Sequence, residues 1–340
     1  MKEITKGIVA LVAILAIISG IYGYTLIEKS YLREGDFAEI YYIGYFENGT
    51  VFASSFNENV SFDTPFDDKN YNLTPLKIYM GDTTNLSEKI KYPEGWSYTS
   101  LGNIKDWKIN EIEGLYEALK GMKKGEEKII ELEPGKAFKN KVVNGTIFIS
   151  SLAFGFDTKF KISNISDDAV DIEWMPEIGE KFTFPDYPHL LWENCTEVVS
   201  YNNTTVILKT TPDRLDNLTL YPWWENASTA SYNDTHIFIT TTPPLGNFTA
   251  IIYGMEISGS VKNITDEKIY LEFYYGGQTF SEEVNRTETF NRTAEYPKVF
   301  EGIQKAVLEE ELLKNGYSFH ELAGEKVIFR VKVVNVYKAS

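Results

Sequence analysis

The sequence predicts an α+β protein: an antiparallel sheet wrapped on one short helix, interrupted by a mostly antiparallel β insertion and preceded by one transmembrane helix. Three observations lead there. Short runs of alternating apolar residues flank a long middle block, one brief helical pattern sits in the first flank, and the chain opens on an uncharged apolar run.

Taking the elements in order, Lys2 and Lys6 precede an uncharged run from Gly7 to Ile27, whose 21 residues match the roughly 20 needed to span a bilayer. The lysines favour a cytosolic N-terminus, which would put the remaining chain outside a cell membrane as a single-pass protein. A cleaved signal peptide is the competing reading, but Ser19-Gly20 and Tyr22-Gly23 make poor cleavage sites. Residues 1–34 are therefore read as anchor and tether.

Residues 35–139 begin with Ala38–Phe46, an aromatic and β-branched run that reads as a strand ending in the Glu47-Asn48-Gly49 turn. Glu113–Met122 places Leu115, Ala118, Leu119 and Met122 on one helical face and stops near Gly121 and Gly125. Glu127–Leu132 alternates again before Pro134-Gly135. Far downstream, within 318–340, the run Lys326–Tyr337 alternates in the same way.

The block between, 140–317, is rich in Asn, Thr and Tyr and repeats itself. Trp192-Glu193-Asn194 recurs as Trp224-Glu225-Asn226, Tyr201-Asn202 as Tyr232-Asn233, and Thr210-Thr211-Pro212 as Thr241-Thr242-Pro243. The period of about 31 residues suits a hairpin plus a returning strand. Pro297–Asn315 reads as a helix through Val299, Phe300, Ile303, Ala306, Val307, Leu312 and Leu313.

Composition excludes some functions. A net charge of -16 disfavours nucleic-acid binding, because phosphates would not be neutralised. Cys195 is the single cysteine, so no intrachain disulfide forms. His189, His236 and His320 show no metal-ligand spacing, and no cofactor motif is present. Of 23 asparagines, 16 lie in Asn-x-Ser/Thr sequons. Chance gives only about three, so the pattern predicts glycan addition on an exported surface, with turn chemistry as the rival explanation.

Four stretches resemble the FKBP family of peptidyl-prolyl isomerases. They are Tyr42–Phe52, Ile112–Glu126, Glu133–Phe138 and the tail His320–Phe329, which looks like the closing strand of the SlyD-like branch, whose flap carries an inserted domain. The resemblance covers 35–139 and 318–338. It implies a dry proline pocket with Tyr42, Phe52, Phe138 and Phe329 as its catalytic aromatic residues. Leu76, Ile78, Ile112 and Leu115 would complete the substrate contacts, and no metal or cofactor is needed.

Such a pocket works by disfavouring the planar amide, whose rotation barrier is about 18–20 kcal/mol. Three positions depart from the family pattern. Ala53 stands where an acid is common, Phe138 where Tyr is common, and Leu115 where many members have Trp. Each lost hydrogen bond is worth about 0.5–1.5 kcal/mol. An added segment, Asp82–Asn110, is placed to cover the site.

The expectation is a membrane-anchored isomerase and chaperone acting on unfolded or proline-containing exported polypeptides. The inserted domain would add apolar contacts from Trp192, Trp223, Trp224, Tyr221 and Tyr253. The alternative is a surface binding or adhesion protein that keeps the scaffold without the catalysis.

Overall fold

The computed structural model describes residues 31–83, 90–252 and 255–338. The chain divides into two compact units, one formed by residues up to Val142 together with those from Leu312 onward, the other by Val143–Glu311.

The first unit contains β1 (Phe37–Phe46), β2 (Val51–Ser54), β3 (Leu76–Tyr79), α1 (Glu113–Leu119), β4 (Glu127–Leu132) and β5 (Asn140–Lys141). From the far side of the sequence come β21 (Tyr317–Ser318) and β22 (Val327–Tyr337). The main sheet runs β2-β1-β22-β4, and β3 pairs with the first half of β1. β1 and β22 are antiparallel along their whole length, from Phe37↔Tyr337 to Phe46↔Val327. The two-residue period of a strand sends successive side chains to opposite faces. Ala38, Ile40 and Tyr42 of β1 thus join Phe329, Val331 and Val333 of β22 in a core with Ile112, Leu115 and Leu119.

Ile43 and Tyr45 face the other way, onto Phe56 and Phe66 of the loop after β2. Arg330, on that same side of β22, is nearly buried and fixes the loop. Its guanidinium donates to Glu127 at 2.7 Å, to the Phe62 carbonyl at 2.9 Å and to the Thr64 carbonyl at 2.7 Å, and it lies 4.6 Å over the Phe66 ring. A buried charge is tolerated when it is paired and hydrogen-bonded, and here each of the three guanidinium nitrogens makes one such bond.

The second unit is a series of small antiparallel sheets. The first contains β6 (Ile147–Ser150), β7 (Thr158–Ile165) and β8 (Ala169–Trp174). The second contains β9 (Lys181–Phe182), β10 (Thr196–Tyr201) and β11 (Thr205–Thr210). The third is the hairpin β12 (Ser228–Tyr232) and β13 (His236–Thr241). The fourth is β14 (Gly246–Ile252), β15 (Met255–Ile264), β16 (Lys268–Tyr275) and β17 (Gln278–Asn285).

The chain then returns through β18 (Thr287–Asn291), β19 (Thr293–Pro297) and β20 (Val299–Gln304), which pair with β13, β11 and β8 respectively. One return leg thus supplies an edge strand to three earlier hairpins, in reverse order. A basic residue stands at each junction: Arg286, Arg292, Lys298 and Lys305. Their backbone N–H groups donate to the hairpin-turn carbonyls of Glu267, Thr235, Thr204 and Asp168. The carbonyls of Arg286, Arg292 and Lys298 accept from Thr241, Thr210 and Trp174, each in the preceding module. Each of these three residues therefore links two neighbouring modules through its own peptide groups.

The duplication seen in the sequence has a matching geometry. In the β10–β11 turn, Asn202 Oδ1 accepts from the N–H groups of Thr204 and Thr205 at 2.8 Å. In the β12–β13 turn, Asn233 Oδ1 accepts from Thr235 at 2.9 Å and His236 at 2.8 Å. At the opposite ends of the same hairpins, the buried hydroxyl pairs Thr196–Thr210 and Ser228–Thr241 each lie at 2.8 Å.

These observations correct three expectations. The α+β class becomes mainly antiparallel β, because among the described residues the only α-helices are α1, of seven residues, and α2 (Lys305–Lys314), of ten. Neither is large enough to make a layer. The helix expected over 297–315 begins only at Lys305. Val299, Phe300 and Ile303, whose spacing also fits a helix face, are strand residues paired to β8, with Gly302 at a positive φ of 68° inside the bulge. The transmembrane helix expected at 7–27 lies outside the described residues. No helix among those described is long and apolar enough to cross a membrane, so the single-pass placement with the chain outside has no support.

Candidate functional site

The eight residues singled out from the sequence come from β1, β2, β3, α1 and its N-cap Ile112, β22 and the turn after β4, and all belong to one apolar cluster. Tyr42, Ile78, Ile112, Leu115, Phe138 and Phe329 are buried in it, and Phe52 and Leu76 pack against it while partly exposed. Phe52 lies edge-on to Phe329 at 5.8 Å and to Phe138 at 6.1 Å, and the tilted Phe46 ring is 5.2 Å away. Edge-to-face pairs of this kind add about 0.5–1.5 kcal/mol beyond the area they bury.

Two glycines make the arrangement possible. A Cβ on Gly44 would come within 2.7 Å of the Phe52 ring and 2.9 Å of Phe329, so only glycine lets both rings lie across β1. A Cβ on Gly114 would meet the Leu132 side chain at 2.5 Å and the Lys136 carbonyl at 3.0 Å. Close approach of α1 to β4 and to the following turn therefore needs glycine there as well. Lys136 then closes an ion pair with Glu113 at the start of α1, and that bond holds the Glu113 carboxyl below its usual range.

Tyr42 carries the one hydroxyl among the eight. Burial pushes it up to about 12, so it stays a neutral phenol across the physiological range. Its strand is pinned at that point, with the Tyr42 N–H donating to Ser55 Oγ at 3.0 Å and the Ser55 N–H donating to the Tyr42 carbonyl at 2.9 Å.

Two residues not assigned to the site from the sequence complete it. Trp107, from the segment before α1, meets Phe138 edge-on at 5.6 Å, and His320 stacks on Phe138 at 5.3 Å with an interplanar angle of 18°. Trp107 and His320 also contact each other at 5.8 Å. The His320 ring is held by the Leu322 N–H, which donates to Nδ1 at 3.2 Å. Phe138 is fully buried beneath this pair. The open ground lies at Phe52. A cleft of about 570 Å³ runs along the edge strand β2 and the loop after it, lined by Val51–Ser54 and Phe56–Val60. A second, of about 510 Å³, lies between Phe46–Asn48 and Glu321, Glu325 and Lys326.

In the second unit, Trp192 and Trp224 are buried in separate clusters, and Tyr221 and Trp223 pack beside Trp224. These four serve as core. Tyr253 lies outside the described residues.

No protein-family model matches the chain, and a search of characterised proteins finds no match either.

Proposed function

We propose that the aromatic cluster of the first unit binds proline-containing segments of unfolded polypeptides and speeds their cis–trans isomerisation slowly. This is the activity that the resemblance to FKBP-type isomerases implies. The observation that carries the reading is the convergence of Tyr42, Phe52, Phe138 and Phe329, drawn from distant parts of the chain, with Phe52 half-open onto a cleft. An apolar aromatic surface holds a proline ring and strips water from the amide that must twist. No nucleophile, metal or cofactor enters this chemistry. The neutral Tyr42 hydroxyl is the available donor to a substrate carbonyl. Ala53 and Phe138 supply no polar group, and Trp107 and His320 cover Phe138, so the rate is expected to be low.

That cover favours a second reading, in which the same cluster is only core and the unit is a non-catalytic binding scaffold. A protease-coupled proline-peptide assay separates the two. The chain should exceed the uncatalysed rate, and Phe52→Ala should lower kcat/KM about tenfold, a loss of about 1.4 kcal/mol of transition-state stabilisation. Phe52 is partly exposed, so circular dichroism should show that variant still folded. Background rates for both proteins would leave the scaffold reading standing.

A further inference from the structure

The sequons are the sequence feature that a proline site does not explain. At all fifteen whose asparagine the structure describes, that asparagine is exposed; the sixteenth, Asn85, lies outside the described residues. The hydroxyl two residues later is not equally free. At Asn202 and Asn233, in the two duplicated hairpin turns, Thr204 and Thr235 are exposed; their hydroxyls touch the asparagine's own Oδ1 at 3.2 and 3.1 Å and a neighbour in the same turn, Thr205 Oγ1 at 3.3 Å and His236 Nδ1 at 2.8 Å respectively. Oδ1 is the bonded atom in both asparagines, and neither Nδ2 makes a hydrogen bond among the described residues.

At Asn194 and Asn226, equivalent positions of the same repeat, the sequon hydroxyls belong to Thr196 and Ser228. Each of these residues is 1% exposed, and each hydroxyl is bonded across its hairpin to Thr210 or Thr241 at 2.8 Å. Both asparagines also hold a positive φ, 53° and 55°.

A transferase that recognises Asn-x-Ser/Thr must reach the amide and the hydroxyl together. We propose that the folded chain carries N-linked glycans at Asn202 and Asn233, while Asn194 and Asn226 stay bare. In the transfer, Nδ2 forms a C–N bond to the anomeric carbon of a glycosyl phosphate donor. The C–O bond to phosphate breaks, the phosphate leaves with the electron pair, and Nδ2 gives up one proton to a base of the transferase. Turn chemistry explains why asparagine occupies both turns. It does not require the free Nδ2 or the exposed hydroxyl two residues on.

The test is glycopeptide mapping of the full chain from cells that make it naturally, alongside transfer by a purified oligosaccharyltransferase to the folded chain. Synthetic peptides spanning 190–198 and 230–238 control for the intrinsic reactivity of each sequon. Occupancy at Asn233 is expected to exceed that at Asn194 at least tenfold in the folded chain, with the two peptides within about threefold of each other. Thr235→Ala should abolish modification at Asn233 and leave Asn202 unchanged. Bare Asn202 and Asn233 with reactive peptides, or equal occupancy at all four positions, would overturn the proposal.

Discussion

The two units build sheets in opposite ways. In the first, one sheet gathers β1, β2, β3 and β4 from before the second unit and β22 from after it, with a large core on one face and a smaller cluster around Ile43, Tyr45, Phe56 and Phe66 on the other. In the second, hairpins form from neighbouring residues, each sheet is small, and the module cores at Trp192 and Trp224 are separate clusters. Long-range closure is concentrated in one strand in the first unit. In the second it is spread over the return leg β18–β20 and the basic residues at its junctions. Damage should therefore be global in one unit and graded in the other.

The largest expected effect comes from Phe329→Ala, which removes a fully buried ring at the centre of the first unit and should cost about 3–5 kcal/mol. Hydrogen exchange is the measurement. Protection should fall throughout β1, β4 and β22 while β10–β13 keep theirs, and equal loss in both units would break the contrast.

Next is Arg292→Ala. The guanidinium donates to the Thr210 carbonyl at 2.8 Å, to the Asn233 carbonyl at 3.0 Å and to Thr211 Oγ1 at 2.7 Å, and it lies 4.5 Å from the Tyr232 ring. Loss of these charge-assisted bonds should cost roughly 1.5–3 kcal/mol, confined to the β10–β13 and β18–β19 region. Arg292→Lys should recover only part of it, since an ammonium cannot reproduce the fork. Denaturant titration followed by exchange mapping would show whether the loss stays local.

The smallest effect is a pH dependence in the second unit. His189 is buried, its Nδ1 lies 2.8 Å from Thr210 Oγ1, and burial lowers its pKa against the opposing pull of Asp186. Below about 6.5 the unfolded chain takes up a proton that the folded chain resists, so the contribution is complete above that value and fades as pH falls. The slope of stability against pH between 5 and 7 should flatten in His189→Gln. An unchanged slope would assign the dependence to other groups.

These contrasts also mark what the sequence displays. β1 is legible from its aromatic and β-branched run, and β22 from its alternating apolar residues. The two central hairpins are legible because Asn202 and Asn233 fix their turns and the repeat names their ends. The return leg is not. Its strands are five or six residues long and interrupted by charged residues, and β20 merges with α2 into one helix-like spacing. At the candidate site six of the eight positions lie in the stretches that carry the resemblance, whereas Leu76 and Ile78 lie outside them. Trp107 and His320 were not legible as site residues, because a lone ring in a loop has no period and meets Phe138 only through tertiary packing. Arg330 left no signal either, since a single charge on an alternating strand reads as its solvent side.

The order in which the return leg meets its partners bears on biosynthesis. β11 leaves the ribosome about 80 residues before β19, which at roughly 5–20 residues per second is a gap on the order of ten seconds. Until β20, β19 and β18 emerge, β8, β11 and β13 respectively present an unpaired edge to whatever else is in solution, and the first partner to become available is the one for β13. A nascent chain stalled near residue 286 would thus be a strand acceptor on three edges. Chaperone demand should peak there and fall in three steps as Arg286, Arg292 and Lys298 pass into place.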